Sequence, residues 1–92
     1  MITIELPRVL APYAGSSTVV TVEESCATVG DALNALSSRF PGVVDRVVDE
    51  RGMVRQHVNV FVNEESTRFL QGLATPVPEG SNVLIVAAVS GG

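Results

Sequence analysis

The residues best suited to chemistry are the last ten, which read Val-Leu-Ile-Val-Ala-Ala-Val-Ser-Gly-Gly from Val83 to Gly92. The first half of this segment is aliphatic and β-branched, which is typical of a buried strand. The second half loses side-chain bulk toward Gly91 and Gly92, where a terminal carboxylate would be exposed. Because glycine adopts φ angles that other residues avoid, this segment can thread a narrow channel. The alternative interpretation is a frayed chain end without function.

Two other side chains are candidates for chemistry. Cys26 precedes a predicted helix, whose dipole can lower the pKa of a thiol and make it a sulfur acceptor, but no basic residue adjoins it in sequence and we expect no such role. His57 is the only histidine, and the sequence alone indicates neither a metal cluster nor a Ser-His-Asp site around it, so we expect it to terminate a strand. One cysteine also excludes an iron–sulfur cluster, which needs about four. The sequence has no phosphate-binding glycine loop, so any ATP would belong to a partner.

The composition indicates one globular domain with an aliphatic core. The 92 residues are 46% hydrophobic and carry a net charge of −4, which argues against a nucleic-acid partner. The chain lacks an apolar stretch long enough to span a membrane, a recognisable signal peptide and paired cysteines, which together predict a cytoplasmic protein. All six basic residues are Arg. One explanation is codon bias toward arginine. The other is that a C-terminal acyl group, if it were activated, would meet no lysine ε-amine on its own chain.

The first half of the chain predicts a hairpin followed by a helix. Period-2 alternation predicts strands over 2–6 and 18–23, and the Pro, Gly and Ser residues between them predict a turn over 8–17. A capping-box pattern beginning at Thr28 and an apolar stripe at helical spacing predict a helix over 28–40. We expect the Pro-Gly pair that follows to end this helix.

The second half of the chain predicts a short amphipathic segment and three strands. These elements are expected over 43–50 (short helix or turn), 57–62 (strand), 67–70 (short strand) and 82–88 (strand). The connection over 72–80 holds two prolines and predicts a single helical turn. Because the segment 82–88 is apolar on both faces, we expect it to be a central strand.

This order of elements predicts an α+β fold, in which one main helix packs across a mixed sheet of four to five strands. A right-handed crossover through the helix places the last strand beside the first and parallel to it. That arrangement is the β-grasp, or ubiquitin-like, fold. We expect a β-grasp domain over 1–88 and a flexible tail over 89–92.

Five segments of the sequence are informative together: Val58-Asn59-Val60-Phe61-Val62-Asn63-Glu64-Glu65, Arg68-Phe69, Gly72-Leu73-Ala74-Thr75-Pro76-Val77, Glu79-Gly80-Ser81-Asn82-Val83 and Gly91-Gly92. In this order they resemble the ThiS/MoaD family of ubiquitin-like sulfur carriers, and the resemblance covers the whole chain. The Gly-Leu-Ala-Thr segment and an arginine-bearing insertion before the third strand are most similar to CysO-type carriers of cysteine synthesis. The chain departs from the family at Ser81-Asn82, where Gly-Asp is common, and in the tail, which lacks the proline that family members often have.

The resemblance implies a protein co-substrate that binds no cofactor and performs no catalysis itself. Gly92 would be adenylated by an ATP-using enzyme of the ubiquitin-activating type and then thiocarboxylated. Gly91 would thread the active site of that enzyme most tightly, because a side chain there would collide with a channel that excludes water; Ser90 and Val89 would line it less tightly. The sulfur would pass to a synthase, such as a cysteine synthase or a thiazole-synthase-like enzyme. The free carrier would be a monomer.

The resemblance also implies a docking surface on the outer face of the sheet. The apolar candidates for this surface are Phe61, Phe69, Leu84 and Val86. Alternation places Phe61 opposite three valines, which favours a role at the interface. Phe69 either contributes to docking or packs under the long loop.

Two other functions stay open. The chain can be a small subunit held permanently in an enzyme, as in molybdopterin synthase, and would then co-purify with a large catalytic subunit. It can also be a ubiquitin-like modifier or binding domain without sulfur chemistry. A modifier would form isopeptide adducts with other proteins, and a plain binding domain would be indifferent to loss of Gly92.

Overall fold

The computed structural model describes residues 1–87 and confirms the predicted β-grasp order of elements. Its helices and strands are β1 (Ile2–Glu5), β2 (Val19–Val22), α1 (Val29–Arg39), α2 (Pro41–Val47), β3 (Val58–Val62), β4 (Glu65–Ser66) and β5 (Asn82–Ala87). Short 3-10 helices at Arg8–Ala14, Thr67–Phe69 and Gly72–Ala74 connect these elements. No helix among the described residues has the length and apolar character needed to cross a membrane.

The five strands form one mixed sheet in the order β2-β1-β5-β3-β4. β5 is parallel to β1, with Val83 beside Ile4, and antiparallel to β3, with Ile85 opposite Val60. The last strand therefore lies at the centre of the sheet, beside the first strand, as predicted. Main-chain hydrogen bonds on both sides hold it in a fixed register.

The core lies between the sheet and the two α-helices, and it is almost purely aliphatic. In α1, Val29, Leu33 and Leu36 are buried at the predicted helical spacing, while Phe40 packs partly buried just beyond the helix. The largest of the side chains that are less than 2% exposed are Ile2, Ile4, Leu36, Ile85, Val22, Val29, Val43, Val47, Val58, Val60 and Val83. Full burial of such a side chain stabilises the folded state by roughly 1.5–3 kcal/mol.

The predicted turn over 8–17 is mostly a 3-10 helix, Arg8–Ala14. Leu10 and Ala14 are buried, so this segment adds to the core instead of only reversing the chain. Gly15 follows with φ of 62°, a left-handed conformation that glycine adopts without steric cost.

The Pro-Gly pair after α1 changes the direction of the helix instead of only ending it. α1 ends at Arg39, and Pro41 is the first residue of α2. Proline is well tolerated there because the first N–H groups of a helix have no intrahelical partner. The helix predicted as one interpretation of 43–50 is thus present, starting at Pro41, with Val43 and Val47 buried.

The prediction of a short strand over 67–70 is wrong. The short strand is β4, which pairs with the end of β3 through a tight turn at Asn63 and Glu64, both with positive φ. The next residues coil because the Ser66 hydroxyl accepts a hydrogen bond from the Arg68 amide at 3.3 Å and the Leu70 amide donates to the Thr67 carbonyl at 3.1 Å. The single helical turn predicted within 72–80 is confirmed at Gly72–Ala74.

The start of α1 supplies a stability prediction. The Thr28 hydroxyl accepts a hydrogen bond from the Asp31 amide, and the Asp31 carboxylate accepts one from the Thr28 amide, both at 3.2 Å. We expect Thr28→Ala to lower the free energy of unfolding by about 1 kcal/mol, because an amide at the helix start loses its partner. Urea denaturation measures this loss. Thr18→Ala is the matched control, since the exposed Thr18 hydroxyl has no hydrogen-bond partner in the described part of the chain, and an equal loss in both variants would contradict the capping role.

The turn after α2 supplies a prediction about pH. The Asp49 carboxylate accepts hydrogen bonds from the amides of Met53 at 3.0 Å and Arg51 at 2.9 Å, and it pairs with the Arg51 guanidinium at 3.0 Å. The hydrogen bond from Met53 is the largest cause that lowers the pKa of Asp49 below its ordinary value. A lowered pKa means that the ionised carboxylate stabilises the fold above about pH 4, and that this contribution is lost as the pH falls through the folded-state pKa.

We therefore expect Asp49→Ala to destabilise the protein more at about pH 7 than at about pH 3, as measured by urea denaturation at both values. Glu50→Ala is the control, because it removes the same charge one residue away, from a carboxylate that accepts no hydrogen bond within residues 1–87. A loss for Asp49→Ala that is independent of pH would show that the charge of this side chain is unimportant.

Candidate functional site

The face of the sheet opposite the helices carries an apolar strip made of Phe61, Leu84 and Val86. In the antiparallel pairing of β3 and β5, Phe61 lies opposite Leu84, and Asn59 lies opposite Val86. Because paired residues share a face, the three apolar side chains are neighbours. Leu84 is 36% exposed and Val86 is 39% exposed, while Phe61 is half-buried. The predicted placement of these three residues on the outer face is confirmed; their role in docking stays a prediction.

Phe69 lies away from this strip, on the 3-10 turn that follows the edge strand β4. Its side chain is 87% exposed, so the interpretation that it packs under the long loop is wrong. The structure therefore groups three of the four docking candidates on the sheet and places the fourth on a separate turn at its edge.

The apolar strip is bounded on its β1 side by a polar contact. Glu5 lies beside Leu84 in the parallel pairing of β1 and β5. Its carboxylate accepts a hydrogen bond of 2.7 Å from the Asn82 side-chain amide. The outer face is thus apolar at Phe61, Leu84 and Val86 and becomes polar toward β1.

A shallow groove lies beside the point where β5 ends, and we call it the exit groove. Ala87, the last residue of β5, is paired with Val58, the first residue of β3. The exit groove has a volume of about 200 Å³ and is lined by Gln56, His57, Val58, Asn59, Arg68 and Val86. It therefore continues from the Val86 end of the apolar strip.

Arg68 closes one side of the exit groove, a role that sequence reasoning missed. Its Nη2 donates to the carbonyl oxygens of Arg55 at 3.2 Å, Gln56 at 2.8 Å and Val58 at 2.6 Å. The Arg55 carbonyl also accepts a hydrogen bond of 2.9 Å from the Val58 amide, so Arg68 adds a side-chain contact to the turn that leads into β3. The available signal in the sequence was a single charged residue between Thr67 and the apolar pair Phe69-Leu70, which does not say what the charge contacts.

The predicted tail residues Val89, Ser90, Gly91 and Gly92 lie outside the described residues, and so does the predicted domain boundary at residue 88. The structure describes instead the strand that leads to them. β5 lies between β1 and β3 over residues 82–84 and stays paired with β3 up to Ala87. Ala87 is the last residue that the structure describes.

The suggestion that the helix dipole lowers the pKa of Cys26 is wrong. Burial of the thiol is the largest cause that raises its pKa above the ordinary value, and the negative charges of Asp31 and Glu24 raise it further. The same Asp31 that caps α1 therefore disfavours a thiolate. His57 is exposed and directly precedes β3. Within residues 1–87, no three His, Cys, Asp or Glu side chains are grouped closely enough to hold a metal ion.

Comparison with known proteins gives consistent relatives in sequence and in structure. The sequence pattern of the ThiS family matches residues 4–92. The sulfur carrier protein CysO of Mycobacterium tuberculosis is 34% identical over 93 residues, which cover 99% of this chain and 98% of that protein. Small archaeal modifier protein 1 of Haloferax volcanii is 37% identical over 83 residues, which cover 90% of this chain and 91% of that protein.

Among solved structures, a chain of the BexX/CysO complex of Amycolatopsis orientalis superposes with a TM-score of 0.89 at 34% identity, and the match covers 100% of both chains. The fold therefore agrees with that of a relative matched over its whole length. These findings confirm the resemblance noted in the sequence: the chain belongs to the ThiS family.

Proposed function

We propose that this protein is a sulfur carrier whose C-terminal Gly92 alternates between a carboxylate and a thiocarboxylate. The observation that carries this proposal is the position of β5, which leads from the apolar strip at the sheet centre into the segment that ends in Gly91-Gly92. Support comes from the CysO relatives, which are named sulfur carriers and are matched along almost their whole length.

The chemistry of a terminal carboxylate explains why such a carrier needs a partner. The reference pKa of a terminal carboxyl group in peptides is about 3.5, and a group of this kind is ionised at neutral pH and is a poor electrophile. In the proposed reaction, a carboxylate oxygen of Gly92 attacks the α-phosphate of ATP and pyrophosphate leaves, which forms an acyl-adenylate. Hydrosulfide then attacks the acyl carbon and AMP leaves, which forms the thiocarboxylate. ATP and the catalytic groups belong to an enzyme of the ubiquitin-activating type.

The tail residues suit entry into that enzyme. Gly91 and Gly92 have no side chains, so the acyl carbon can reach a narrow site from which water is excluded. Ser90 and Val89 follow as the next residues inside the channel. The apolar strip, which lies on β3 and β5 before the tail, docks against the enzyme surface. This contact fixes the direction from which the tail enters.

The proposed acceptor of the sulfur is a biosynthetic synthase, such as a cysteine synthase or a thiazole-synthase-like enzyme. Support comes from the similarity to CysO and from the solved BexX/CysO complex, in which a relative is paired with a second protein. The carrier has to leave one partner and enter another, which fits a protein that is a monomer when free.

A second candidate function is protein modification, and the small archaeal modifier proteins among the relatives favour it. The same acyl-adenylate would then be attacked by a lysine amine of another protein, with AMP leaving and an isopeptide bond forming. Mass spectrometry of cellular proteins separates the two functions, because only a modifier leaves its C-terminal glycines attached to lysines of other proteins.

The position of the terminal carboxylate supplies a prediction about activation. We expect deletion of Gly92 to reduce ATP–pyrophosphate exchange by the activating enzyme to background, because the carboxylate no longer reaches the nucleotide. A chain extended by one alanine after Gly92 retains every native residue but displaces the carboxylate, and we expect the same loss. Both variants should keep the circular dichroism spectrum of the wild-type chain. Exchange at the wild-type rate in either variant would contradict the proposal.

The apolar strip supplies a prediction about docking. We expect Leu84→Asp to weaken binding to the activating enzyme by about tenfold or more, since about 1.4 kcal/mol of lost contact has that effect. Val19→Asp is the matched control. Val19 is also an exposed aliphatic residue of the sheet, 53% exposed, but it lies on the edge strand β2 and not in the apolar strip. Isothermal titration calorimetry measures both. Equal weakening by the two variants would show that the strip has no special role.

A further inference from the structure

The exit groove is lined by hydrogen-bond donors and carries no acidic side chain among the described residues that line it. Its polar members are the Arg68 guanidinium, the side-chain amides of Gln56 and Asn59, and the His57 imidazole. The acidic pair Glu64-Glu65 lies at the other end of β3, next to Val62. The groove is therefore a local region of positive and donor character in a chain whose net charge is −4.

Hydrogen bonds hold the Arg68 and Asn59 side chains of the exit groove in place, but some of their N–H groups have no partner among the described residues. Arg68 donates only through Nη2, to the three backbone carbonyls, so its Nε and Nη1 have no partner within residues 1–87. The Asn59 side chain is oriented by the Ser66 hydroxyl, which donates to its Oδ1 at 2.8 Å. That contact leaves the Asn59 Nδ2 group without a partner in the same part of the chain. Positioned donors of this kind favour a carboxylate, which accepts hydrogen bonds and carries the opposite charge.

The place of the exit groove indicates where such a carboxylate would come from. The groove shares Val86 with the apolar strip and includes Val58, which is paired with Ala87, the last residue that the structure describes before the predicted tail. We propose that the exit groove binds an Asp or Glu side chain at the rim of the channel that receives the tail, so that the enzyme is recognised by one acidic contact next to the apolar strip. This inference depends on the proposed function for the identity of the partner.

The rigidity of Arg68 gives this contact a directional role. Because three carbonyls already hold the guanidinium, little side-chain freedom is lost when a carboxylate binds. Attraction to the positive exit groove also orients an acidic channel rim toward the tail, whereas the acidic side chains elsewhere on the carrier repel the same rim.

The test changes the charge at one position of the groove in both directions. Gln56 is exposed, and its side chain makes no hydrogen bond in the described part of the chain, so Gln56→Glu and Gln56→Arg leave the fold intact. We expect Gln56→Glu to raise the Kd for the activating enzyme about tenfold and Gln56→Arg to lower it several-fold at low salt. Both effects should shrink in about 0.5 M salt, where the charges are screened.

Asn34→Glu and Asn34→Arg are the matched controls, because they make the same charge changes at an exposed position of α1, on the helix layer. Shifts of the same sign for the two Gln56 variants, or shifts equal to those of the Asn34 variants, would overturn the inference. A change in the NMR signals of Gly92 in the free Gln56→Arg carrier would overturn it as well, since the groove would then hold the chain's own terminal carboxylate. Failure of the wild-type chain to be adenylated would instead contradict the proposed function, while the ratio of Kd values still tests the groove.

Discussion

The pairing of β5 on both sides is the interaction on which the rest of the molecule depends. β5 is the last strand in sequence, yet it lies between β1 and β3 and buries Val83 and Ile85 against the helices. Its opposite face carries Leu84 and Val86. One strand therefore closes the core on one side and presents the apolar strip on the other, and the alternation of side chains along a strand makes both possible.

Two arginines donate hydrogen bonds to backbone carbonyls at the edges of this sheet. Arg39 donates to the Thr21 carbonyl of the edge strand β2 at 2.9 Å, and Arg68 covers the carbonyls at the start of β3. A sheet edge with unpaired carbonyls can pair with a strand of another chain, so these contacts favour a monomeric carrier. Arg46 and Arg55 also donate to backbone carbonyls. A planar guanidinium with several donors suits such contacts better than the point charge of a lysine, which gives the all-arginine composition a structural reason at four of its six positions.

The elements governed by periodicity could be predicted from the sequence. The strands of β1, β2, β3 and β5 and the helix α1 with its cap depend on local spacing and on burial, and both are visible along the chain. Two of the three 3-10 segments could not be predicted, because Arg8–Ala14 and Thr67–Phe69 are fixed by contacts with residues distant in sequence or by single side-chain hydrogen bonds. The apolar strip followed from alternation and from the family resemblance. The exit groove could not be predicted from the sequence, because it depends on the Arg68 guanidinium, which contacts three carbonyls that lie more than nine residues earlier in the chain.

The central claim is that Gly92 is converted to a thiocarboxylate, and intact-mass spectrometry tests this claim most directly. The wild-type chain would be incubated with ATP, its activating enzyme and sulfide, and the C-terminal peptide would then be analysed. The account predicts a mass gain equal to the exchange of one oxygen for sulfur, located at Gly92 and absent without ATP. An unchanged mass, with an enzyme shown to thiocarboxylate another carrier, would contradict the account and leave a β-grasp domain that binds its partners without carrying sulfur.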